Sequence, residues 1–388
     1  MTSWEQHDVP FQLTEFASRA VRTQSFSDQE GELARLVLSQ MQSLGYDEAF
    51  LDKTGNVVGK MGHGPKVIHF DSHLDTVEVN DAALWDIPPF SGKVVDGNLW
   101  GRGSVDMKSA LCASVYAAAL AKRAGVLEGK TVYVTGTVCE EYCDGESLRH
   151  LYAQLDLKPD YCVICEPSDN VITLGHKGKA QVRITTRGVS AHGSAPEKGR
   201  NAVYEMAEII QRVQALNEQL SQSHGPHGTV VLSDISSVSA SLNAVPSACS
   251  IYLDRRLALG ESVQQVQAEM DALIAGKDAF WEVGTLAHTS YAGATLAYEP
   301  MHDPWQIQRD HPLTLAMDQA YAQVFGHAPQ QYDFWDFGTN AVTPVAMGIP
   351  VIGFGPGAYK LAHMRNEHCP VQQIWDACQV YAKLIELL

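Results

Sequence analysis

Residues 107–135 read MKSALCASVYAAALAKRAGVLEGKTVYVT, an alanine-rich stretch followed by a short apolar run. Met107 to Ala124 has the composition and spacing of a helix, and Thr131-Val-Tyr-Val-Thr135 has those of a strand. Earlier in the chain, Gly31 to Leu44 repeats apolar residues at helical spacing, and Val67-Ile-His-Phe70 is another short apolar run. Helix and strand signals that alternate in this way predict the α/β class, with a parallel sheet flanked by helices.

The pattern changes near residue 179, where Lys179 to Val189 alternates apolar and polar residues like a half-exposed strand. The segments that follow are a helix at Asn201 to Leu216, strands at Thr229 to Val238 and Ala248 to Leu257, a helix at Glu261 to Ile274, and a strand near Glu282 to Thr289. The order β-α-β-β-α-β is that of a ferredoxin-like α+β domain. We therefore predict a catalytic domain of residues 1–178 and 294–388, with an inserted lid or dimerisation domain at residues 179–293.

The composition excludes several classes of protein. At 388 residues the chain is long enough for two domains, and its net charge of −17 argues against nucleic acid or an anionic membrane as partner. We find no secretory signal and no membrane span, and the eight scattered cysteines predict reduced thiols in the cytoplasm. Cys162 and Cys165 have C-x-x-C spacing, but in a strand they point to opposite faces, which disfavours a redox or zinc role.

Acidic and histidine side chains follow the predicted strands, at the points where the strands end. They are His73 and Asp75, Asp106 in the loop before the alanine-rich helix, Glu140 and Glu141, Glu166, and His363. Ligands of open α/β sheets bind at the carboxyl ends of the strands, so we expect these groups to converge. So many carboxylates would repel one another unless cations lay between them. Mixed histidine and carboxylate ligands suit zinc, and one bridging aspartate with one histidine and one glutamate per ion makes a two-metal site.

The spacing also predicts individual roles. Residues two apart on an extended segment share a face, so the Asp75 carboxylate can accept the second ring N–H of His73. Neighbours such as Glu140 and Glu141 point in different directions, so we expect Glu141 to be a ligand and Glu140 to be the general base. Taken singly, each of these features is common on protein surfaces. Their joint placement at strand ends is what indicates a site.

Four segments resemble, in order, the motifs of the dinuclear zinc peptidases and deacylases. They are His73-Leu-Asp-Thr76, Gly101-Arg-Gly-Ser-Val-Asp-Met-Lys108, Glu140-Glu141 and Glu166-Pro167. The family includes acetylornithine deacetylase, succinyl-diaminopimelate desuccinylase, aminoacylase and glutamate carboxypeptidase, and the resemblance spans nearly the whole chain. It implies one ion held by His73, Asp106 and Glu166, with Asp106 bridging to a second ion held by Glu141 and His363. It also implies two Zn²⁺ per subunit, with Co²⁺ or Mn²⁺ as alternatives, Glu140 as base, Asp75 behind the histidine, and a homodimer.

In the predicted insertion, the resemblance implies that His192 reaches the partner subunit's active site and helps to bind the oxyanion. It also implies that Asn243 and Arg256 hold the carboxylate of the substrate, with Arg255 as the neighbouring alternative to Arg256. Three structural alternatives remain open: His192 capping or bracing a turn, Asn243 as an ordinary turn residue, and either Arg255 or Arg256 as a surface cation at a strand end.

The C-terminal part departs from the pattern of the family. Many members carry Thr-Asp where this chain has Thr339-Asn340, so an acidic group on the substrate side of the pocket becomes neutral. With Phe334, Trp335 and Phe337 just before it, Asn340 predicts a less cationic and more apolar substrate portion.

We therefore expect a deacylase or exopeptidase, such as a deacetylase, that hydrolyses an amide bond in an N-acyl amino acid or short peptide. A hydroxide between two divalent ions would attack the carbonyl, with Glu140 transferring the proton. The alternatives are a dipeptidase or carboxypeptidase acting on unacylated peptides, and a non-catalytic metal-binding member. The chain has no His-Glu-x-x-His helix motif, and its glycine-rich segments fit neither a nucleophile elbow nor a dinucleotide loop.

Overall fold

The computed structural model describes residues 8–222 and 225–388. The helices are α1 Val9–Arg22, α2 Gly31–Ser43, α3 Lys108–Arg123, α4 Glu146–Leu155, α5 Ala202–Ser221, α6 Val263–Ile274, α7 Pro312–Phe325, α8 Val342–Ala346 and α9 Val371–Leu387. The first strands are β1 Glu48–Leu51, β2 Val57–Gly62, β3 Lys66–His73, β4 Val94–Val95, β5 Asn98–Trp100, β6 Lys130–Thr137, β7 Tyr161–Ile164 and β8 Thr173–His176. They are followed by β9 Gly178–Arg187, β10 Thr229–Val238, β11 Ala248–Leu257, β12 Ala279–Val283, β13 Leu286–Thr289, β14 Thr295–Tyr298, β15 Met301–His302, β16 Trp305–Gln306, β17 Asp333–Trp335, β18 Val351–Gly353 and β19 His368–Pro370.

The larger sheet has the strand order β1-β2-β6-β3-β7-β18-β8-β16, with β17 also paired to β8. Its centre, β6-β3-β7-β18, is parallel, and β2 and β8 flank this centre in antiparallel orientation. The alanine-rich segment forms α3, which is buried along most of its length and packs against the sheet and α9. This arrangement confirms the predicted α/β class with a parallel sheet flanked by helices.

A second, antiparallel sheet has the order β10-β11-β9-β12 and carries α5 and α6. This order and the β-α-β-β-α-β sequence of its elements are those of the ferredoxin-like fold that the sequence predicts. Val182, Ile184, Ile251 and Met270 lie in a hydrophobic core of its own, separate from the core of the larger sheet.

The last strand of the second sheet ends earlier than the sequence pattern indicates. The chain leaves β12 at Gly284, where a Cβ atom would lie 2.4 Å from the Tyr252 hydroxyl oxygen. The next residues form the hairpin β13–β14, and Leu296 and Tyr298 of that hairpin pack into the core of the larger sheet. The boundaries at residues 179 and 293 stay a prediction.

The strand register aligns the loops that follow the parallel strands. His73 at the end of β3 pairs with Thr137 at the end of β6, and Ile164 at the end of β7 pairs with Gly353 of β18. The residues that follow these strands therefore emerge along one edge of the sheet, where ligands of α/β proteins bind.

Cys162 and Cys165 are fully buried in and just after β7, and all eight cysteines are free thiols in the part of the chain that the structure describes. Among the helices of residues 8–222 and 225–388, none combines the length and apolar character that crossing a membrane requires.

Candidate metal centre

The first group of candidate ligands consists of His73, Asp106 and Glu166. The His73 ring is buried, and its Nε2 atom lies 2.9 Å from Asp106 Oδ1 and 3.7 Å from Glu166 Oε1. On the other side of the ring, Nδ1 lies 2.9 Å from the backbone carbonyl oxygen of Asp75. A proton on Nδ1 satisfies this carbonyl, which leaves the Nε2 lone pair facing the two carboxylates as a ligand would.

Asp106 also belongs to a second group, with Glu141 and His363. His363 Nε2 lies 3.1 Å from Asp106 Oδ2 and 3.1 Å from Glu141 Oε2. His363 has a φ of 61°, a left-handed conformation that is unfavourable for a side chain other than glycine. The backbone thus accepts strain at the residue that presents an imidazole to two carboxylates.

The donor set fits two divalent ions. In each group the candidate ligand atoms all lie within 4.8 Å of one another, and Asp106 offers one carboxylate oxygen to each group. Imidazole nitrogen and carboxylate oxygen are ligands that zinc and neighbouring first-row ions accept. The structure thus brings all five predicted ligands together at the predicted sheet edge; their assignment as ligands remains a proposal.

The electrostatics of the group are those of a site that attracts cations. Burial would lower the pKa of His73, but its contacts with Asp106 and Asp75 raise it well above the usual value. The contact with Asp106, followed by that with Glu141, raises the pKa of His363 to about 10. Both shifts show that the surrounding carboxylates favour positive charge at these two positions, where metal ions would compete with protons because ligation requires neutral imidazole.

The Asp75 carboxylate makes further contacts besides the one with His73 that the spacing predicts. It lies 3.5 Å from His73 Nδ1, whereas the carbonyl oxygen of the same residue is at 2.9 Å. The carboxylate accepts hydrogen bonds from the Ser27 hydroxyl at 2.7 Å and from the backbone N–H groups of Glu140 at 3.0 Å and Glu141 at 3.1 Å. Asp75 thus contacts the His73 ring through its carbonyl oxygen and, at the longer distance, through its carboxylate, and the same carboxylate accepts the backbone N–H groups of the two glutamates.

Glu140 lies in the wall of the pocket beside these groups. The residue is 6% exposed, and its Oε1 atom is buried with no hydrogen-bond partner among the described residues. Burial, with further repulsion from Glu166, raises its pKa well above the usual value. An unpaired carboxylate oxygen with raised proton affinity has the properties of a general base.

The pocket at this edge has a volume of about 290 Å³. It is lined by Asp106, Glu140, Glu141, Asp144, Glu166, Lys179, Arg256, Phe337, Gly338, Tyr359, Ala362 and His363. The larger sheet supplies the acidic wall, and β9 and β11 of the second sheet supply Lys179 and Arg256. Lys179 forms an ion pair with Asp144 inside the pocket, and the Arg256 side chain is more exposed than that of Lys179.

Arg255 and Arg256 occupy different environments. The Arg255 side chain is 1% exposed. It forms ion pairs with Glu261 at 2.8 Å and with Glu269 at 3.0 Å, and both partners lie at or in α6, the helix on the second sheet. The Arg256 side chain is 30% exposed, lines the pocket and pairs with Asp254 at 2.7 Å. This geometry favours Arg256 as the residue that meets a substrate.

His192 and Asn243 do not line this pocket. Both side chains are exposed, and their loops are joined by the hydrogen bond from Gly193 N–H to the Asn243 carbonyl oxygen at 2.6 Å. His192 Nδ1 lies 2.7 Å from the Ser194 hydroxyl. His192 and Asn243 are thus neighbours on an exposed surface outside the pocket. They can act in catalysis only if this surface contacts an active site, such as that of a partner subunit.

Asn340 is 2% exposed and also lies outside the pocket lining. Its amide nitrogen donates to Asp71 at 2.7 Å and Thr137 at 2.9 Å, and its oxygen accepts from Gly145 N–H at 2.7 Å. These contacts occupy the amide inside the protein, so the predicted contact with substrate finds no support in this geometry. Of the nearby aromatic residues, Phe337 lines the pocket, whereas Trp335 is fully buried.

Sequence reasoning missed a buried ion pair behind the ligands. Arg102 and Glu367 lie 2.6 Å apart and are almost fully buried. Glu367 Oε1 accepts the backbone N–H groups of Val105 at 2.8 Å and Asp106 at 3.1 Å, and Arg102 donates to the carbonyl oxygen of His363 at 3.2 Å. The pair ties together the two loops that carry Asp106 and His363. Its signal in the sequence is weak because the partners are 265 residues apart.

Comparisons with known proteins identify the family of the chain. The family described as peptidase family M20/M25/M40 matches residues 69–387. The chain is 35% identical over 381 residues to the uncharacterized protein YgeY of Escherichia coli (strain K12), covering 97% of this chain and 94% of that protein. It is 27% identical over 389 residues to a succinyl-diaminopimelate desuccinylase of Cereibacter sphaeroides, covering 97% of this chain and 99% of that protein.

Solved structures show the same fold. Aminopeptidase PepT from Bacillus cereus matches with a TM-score of 0.72 at 20% identity, covering 97% of this chain and 98% of that chain. The Bacillus subtilis protein YXEP, described as a dinuclear metal binding peptidase of the M20 family, matches with a TM-score of 0.70 at 16% identity, covering 97% of each chain.

The chain therefore belongs to the M20/M25/M40 peptidase family, which confirms the family that the motifs predict. It is a hydrolase that acts on amide bonds, and a dinuclear metal site accords with both its family and its two groups of ligands.

Proposed function

We propose that this protein hydrolyses the amide bond of an N-acyl amino acid or short peptide, with Glu140 as general base. The observation that carries the proposal is that Asp106 joins two ligand groups beside a buried, unpaired Glu140 oxygen. In this assignment His73 and Glu166 complete the ligands of one ion, and Glu141 and His363 complete those of the other. We propose zinc as the native metal, with Co²⁺ or Mn²⁺ as substitutes, because the ligands are mixed imidazole and carboxylate.

When bound, two divalent ions lower the pKa of a water molecule and polarise the carbonyl of the amide. The protein's own residues then manage the proton and the substrate. Glu140 accepts a proton from the attacking water on its carboxylate and returns it to the nitrogen of the leaving amine, which makes that amine a competent leaving group. Arg256 pairs with a carboxylate of the substrate at the open side of the pocket and so sets the orientation of the scissile bond.

We also propose that residues 179–293 act as a lid and dimerisation domain of a cytoplasmic homodimer. In such a dimer, the exposed surface that carries His192 and Asn243 would meet the active site of the partner subunit. His192 would then help to stabilise the oxyanion, and Asn243 would contact the substrate carboxylate.

A substrate screen with controlled metal content tests the proposal. Protein stripped with a chelator should be inactive and should recover on addition of zinc, cobalt or manganese. The screen compares N-acyl amino acids with unacylated dipeptides and tripeptides, which separates a deacylase from the dipeptidase or carboxypeptidase alternative. If the metal-loaded protein hydrolyses no member of a broad amide panel, the non-catalytic alternative is favoured.

Replacement of the base tests the mechanism. Glu140→Gln should bind two metal ions but lose about 10²–10⁴-fold in kcat, because general acid–base catalysis contributes that much. Glu146→Gln is the matched control, since Glu146 is a buried carboxylate in the same segment that pairs with Arg149 and lies outside the pocket lining. Turnover of Glu140→Gln at the rate of the control would show that Glu140 is not the base.

A further inference from the structure

Three consecutive backbone N–H groups, those of residues 139–141, donate to carboxylates from two distant parts of the chain. The N–H groups of Glu140 and Glu141 donate to Asp75, as described above. The N–H of Cys139 donates to Glu30 Oε1 at 2.9 Å. The turn that presents the proposed base and one proposed ligand is therefore held by two side chains, and only Asp75 belongs to the recognised motifs.

Cys139 has the least favourable backbone conformation of the three residues in this turn. Its φ of 57° lies in the left-handed region, where a side chain other than glycine is unfavourable. The residue is fully buried, so its N–H has no access to water if Glu30 is removed. The bond from Cys139 to Glu30 thus supports a strained conformation directly before Glu140.

Glu30 is itself anchored to the active-site edge of the sheet. Its carbonyl oxygen accepts the N–H of Ala34 in the first turn of α2, and its loop is joined to β3 by the bond from Thr76 N–H to the Ser25 carbonyl oxygen at 2.9 Å. A second bond, from the Ser25 hydroxyl to the carbonyl oxygen of Leu74 at 2.8 Å, ties the same loop to the segment behind His73. The loop that leads to Glu30 is therefore tied at Ser25 to the segment that follows β3, and Glu30 itself is tied to α2.

A purely structural role accounts poorly for a carboxylate at this position. The Glu30 side chain does not cap α2, its Oε2 atom is buried without a hydrogen-bond partner among the described residues, and the whole residue is 0% exposed. Burial of a carboxylate with one unpaired oxygen is unfavourable. Its Oε1 atom accepts the N–H groups of Cys139 and of Asp28 in its own loop, at 2.9 and 3.1 Å, and the Cys139 thiol at 3.5 Å. The long-range bonds of this carboxylate therefore go to the turn of residues 139–141.

We propose that Glu30 is a positioning residue that, together with Asp75, sets the direction of the Glu140 and Glu141 side chains by holding the backbone of residues 139–141. The inference rests on the proposed function, in which Glu140 is the base and Glu141 a ligand. It assigns a catalytic contribution to the loop before α2, which lies outside the four motifs.

Glu30→Met removes the acceptor and keeps a side chain of similar length. We expect kcat to fall about 10²-fold, since a displacement of about 1 Å at a catalytic group costs that much, while KM changes less than about threefold. Glu30→Gln keeps an amide oxygen that can accept the Cys139 N–H, so it should retain kcat within about fivefold of the wild type.

Hydrogen exchange of the backbone gives a readout that does not depend on activity. In the metal-free protein, the amides of residues 139–141 should exchange about tenfold faster in Glu30→Met than in the wild type, and Glu30→Gln should resemble the wild type. Asp47→Ala is the control, because Asp47 accepts the backbone N–H of Gly62 at 2.8 Å at the opposite end of the strands. The control should leave both kcat and exchange at residues 139–141 unchanged.

Wild-type kcat and wild-type exchange in Glu30→Met would overturn the proposal, as would a loss of kcat that Glu30→Gln fails to restore. If Glu30→Met does not fold, Glu30→Asp replaces it in the test. Its side chain is one methylene shorter, so the acceptor lies farther from the Cys139 N–H, and kcat and hydrogen exchange at residues 139–141 are measured as before. Failure of the proposed function would show differently: the wild type would hydrolyse no amide, while hydrogen exchange would still report whether Glu30 holds the turn.

Discussion

Arg255 and Arg256 are neighbours on β11, and their side chains lie on opposite faces of that strand, as alternation requires. We expect Arg256→Ala to raise KM about tenfold or more, because a charge-assisted contact with a substrate carboxylate is lost, with little change in the free energy of unfolding. The measurements are steady-state kinetics on the best substrate of the screen and denaturant unfolding.

Arg255→Ala is the contrasting substitution. It leaves Glu261 and Glu269 without their shared cation, so we expect it to lower the free energy of unfolding by about 2–3 kcal/mol while KM stays the same. The reverse outcome, with Arg255→Ala affecting KM and Arg256→Ala affecting stability alone, would contradict the assignment.

His69 gives the protein a predictable dependence on pH. Burial lowers its pKa from 6.5 to about 3, and its ring lies within hydrogen-bond distance of Tyr152 and Thr135. In the unfolded chain the His69 imidazole takes up a proton below pH 6.5, whereas in the folded protein it does so only near pH 3. This group therefore stabilises the fold above pH 6.5, and its contribution falls by up to about 1.4 kcal/mol per pH unit as the pH decreases from 6.5 to 3.

His69→Gln should remove this dependence. The free energy of unfolding is measured in denaturant between pH 4 and 7. It should change less steeply with pH in His69→Gln than in the wild type, by an amount that corresponds to about one bound proton. His63→Gln is the control because the His63 side chain is 70% exposed. An unchanged slope in His69→Gln would show that His69 takes up its proton at the same pH in the folded and the unfolded protein.

At the scale of elements, the active site depends on loops that are far apart in the sequence. The Arg102–Glu367 pair connects the loop before α3 to the loop before β19, and these loops carry Asp106 and His363. We expect Glu367→Gln to weaken metal binding about 10–100-fold, since residues that orient ligands contribute that much to affinity. Competition with a chromophoric chelator measures the change.

Arg365→Met is the matched control for the Glu367 substitution. Arg365 lies in the same loop but forms an exposed ion pair with Asp81, and such pairs contribute little. It should bind metal like the wild type, and an equal effect in both variants would argue against a specific role of the buried pair.

The elements themselves were largely predictable. Local periodicity of apolar residues, read in windows of about ten residues, predicts the alanine-rich helix and the parallel strands. It also predicts the β-α-β-β-α-β order. The end of β12 and the hairpin β13–β14 were missed, because the contact of Gly284 with Tyr252 that ends the strand joins segments about thirty residues apart. The antiparallel strands that flank the parallel centre were also not predicted, since periodicity does not report strand direction.

At the scale of the whole molecule, the proposed homodimer would need an exposed apolar surface, and the second sheet has one. β10 is the edge strand of its sheet, and Val231, Ile235 and Val238 along it are more than half exposed, as is Leu242 in the loop that follows. An edge strand with exposed apolar residues tends to pair with another chain. Asn243 lies directly after Leu242, so a dimer formed here would bring the His192 surface close to the partner.

Mixed dimers test whether His192 acts across the subunit boundary. Co-expression of His192→Ala and Glu140→Ala subunits with different tags allows the mixed dimer to be purified. If His192 acts on the partner's site, one of the two sites has both groups, so activity should be about half that of the wild type. If His192 acts within its own subunit, neither site is complete and the mixed dimer should be as inactive as the two parents.

The sequence by itself determined the class of fold, the types of the candidate metal ligands and their order along the chain. These properties are local: periodicity shows where strands and helices lie, and polar residues at strand ends show where ligands emerge. The tertiary structure decided which partner each polar group has. It directed the Asp75 carboxylate to the turn of Glu140 and Glu141, kept Asn340 inside the protein and brought Arg256 rather than Arg255 to the pocket. Hydrogen bonds of this kind join residues that are distant in the sequence, so only the packing of the whole chain selects them.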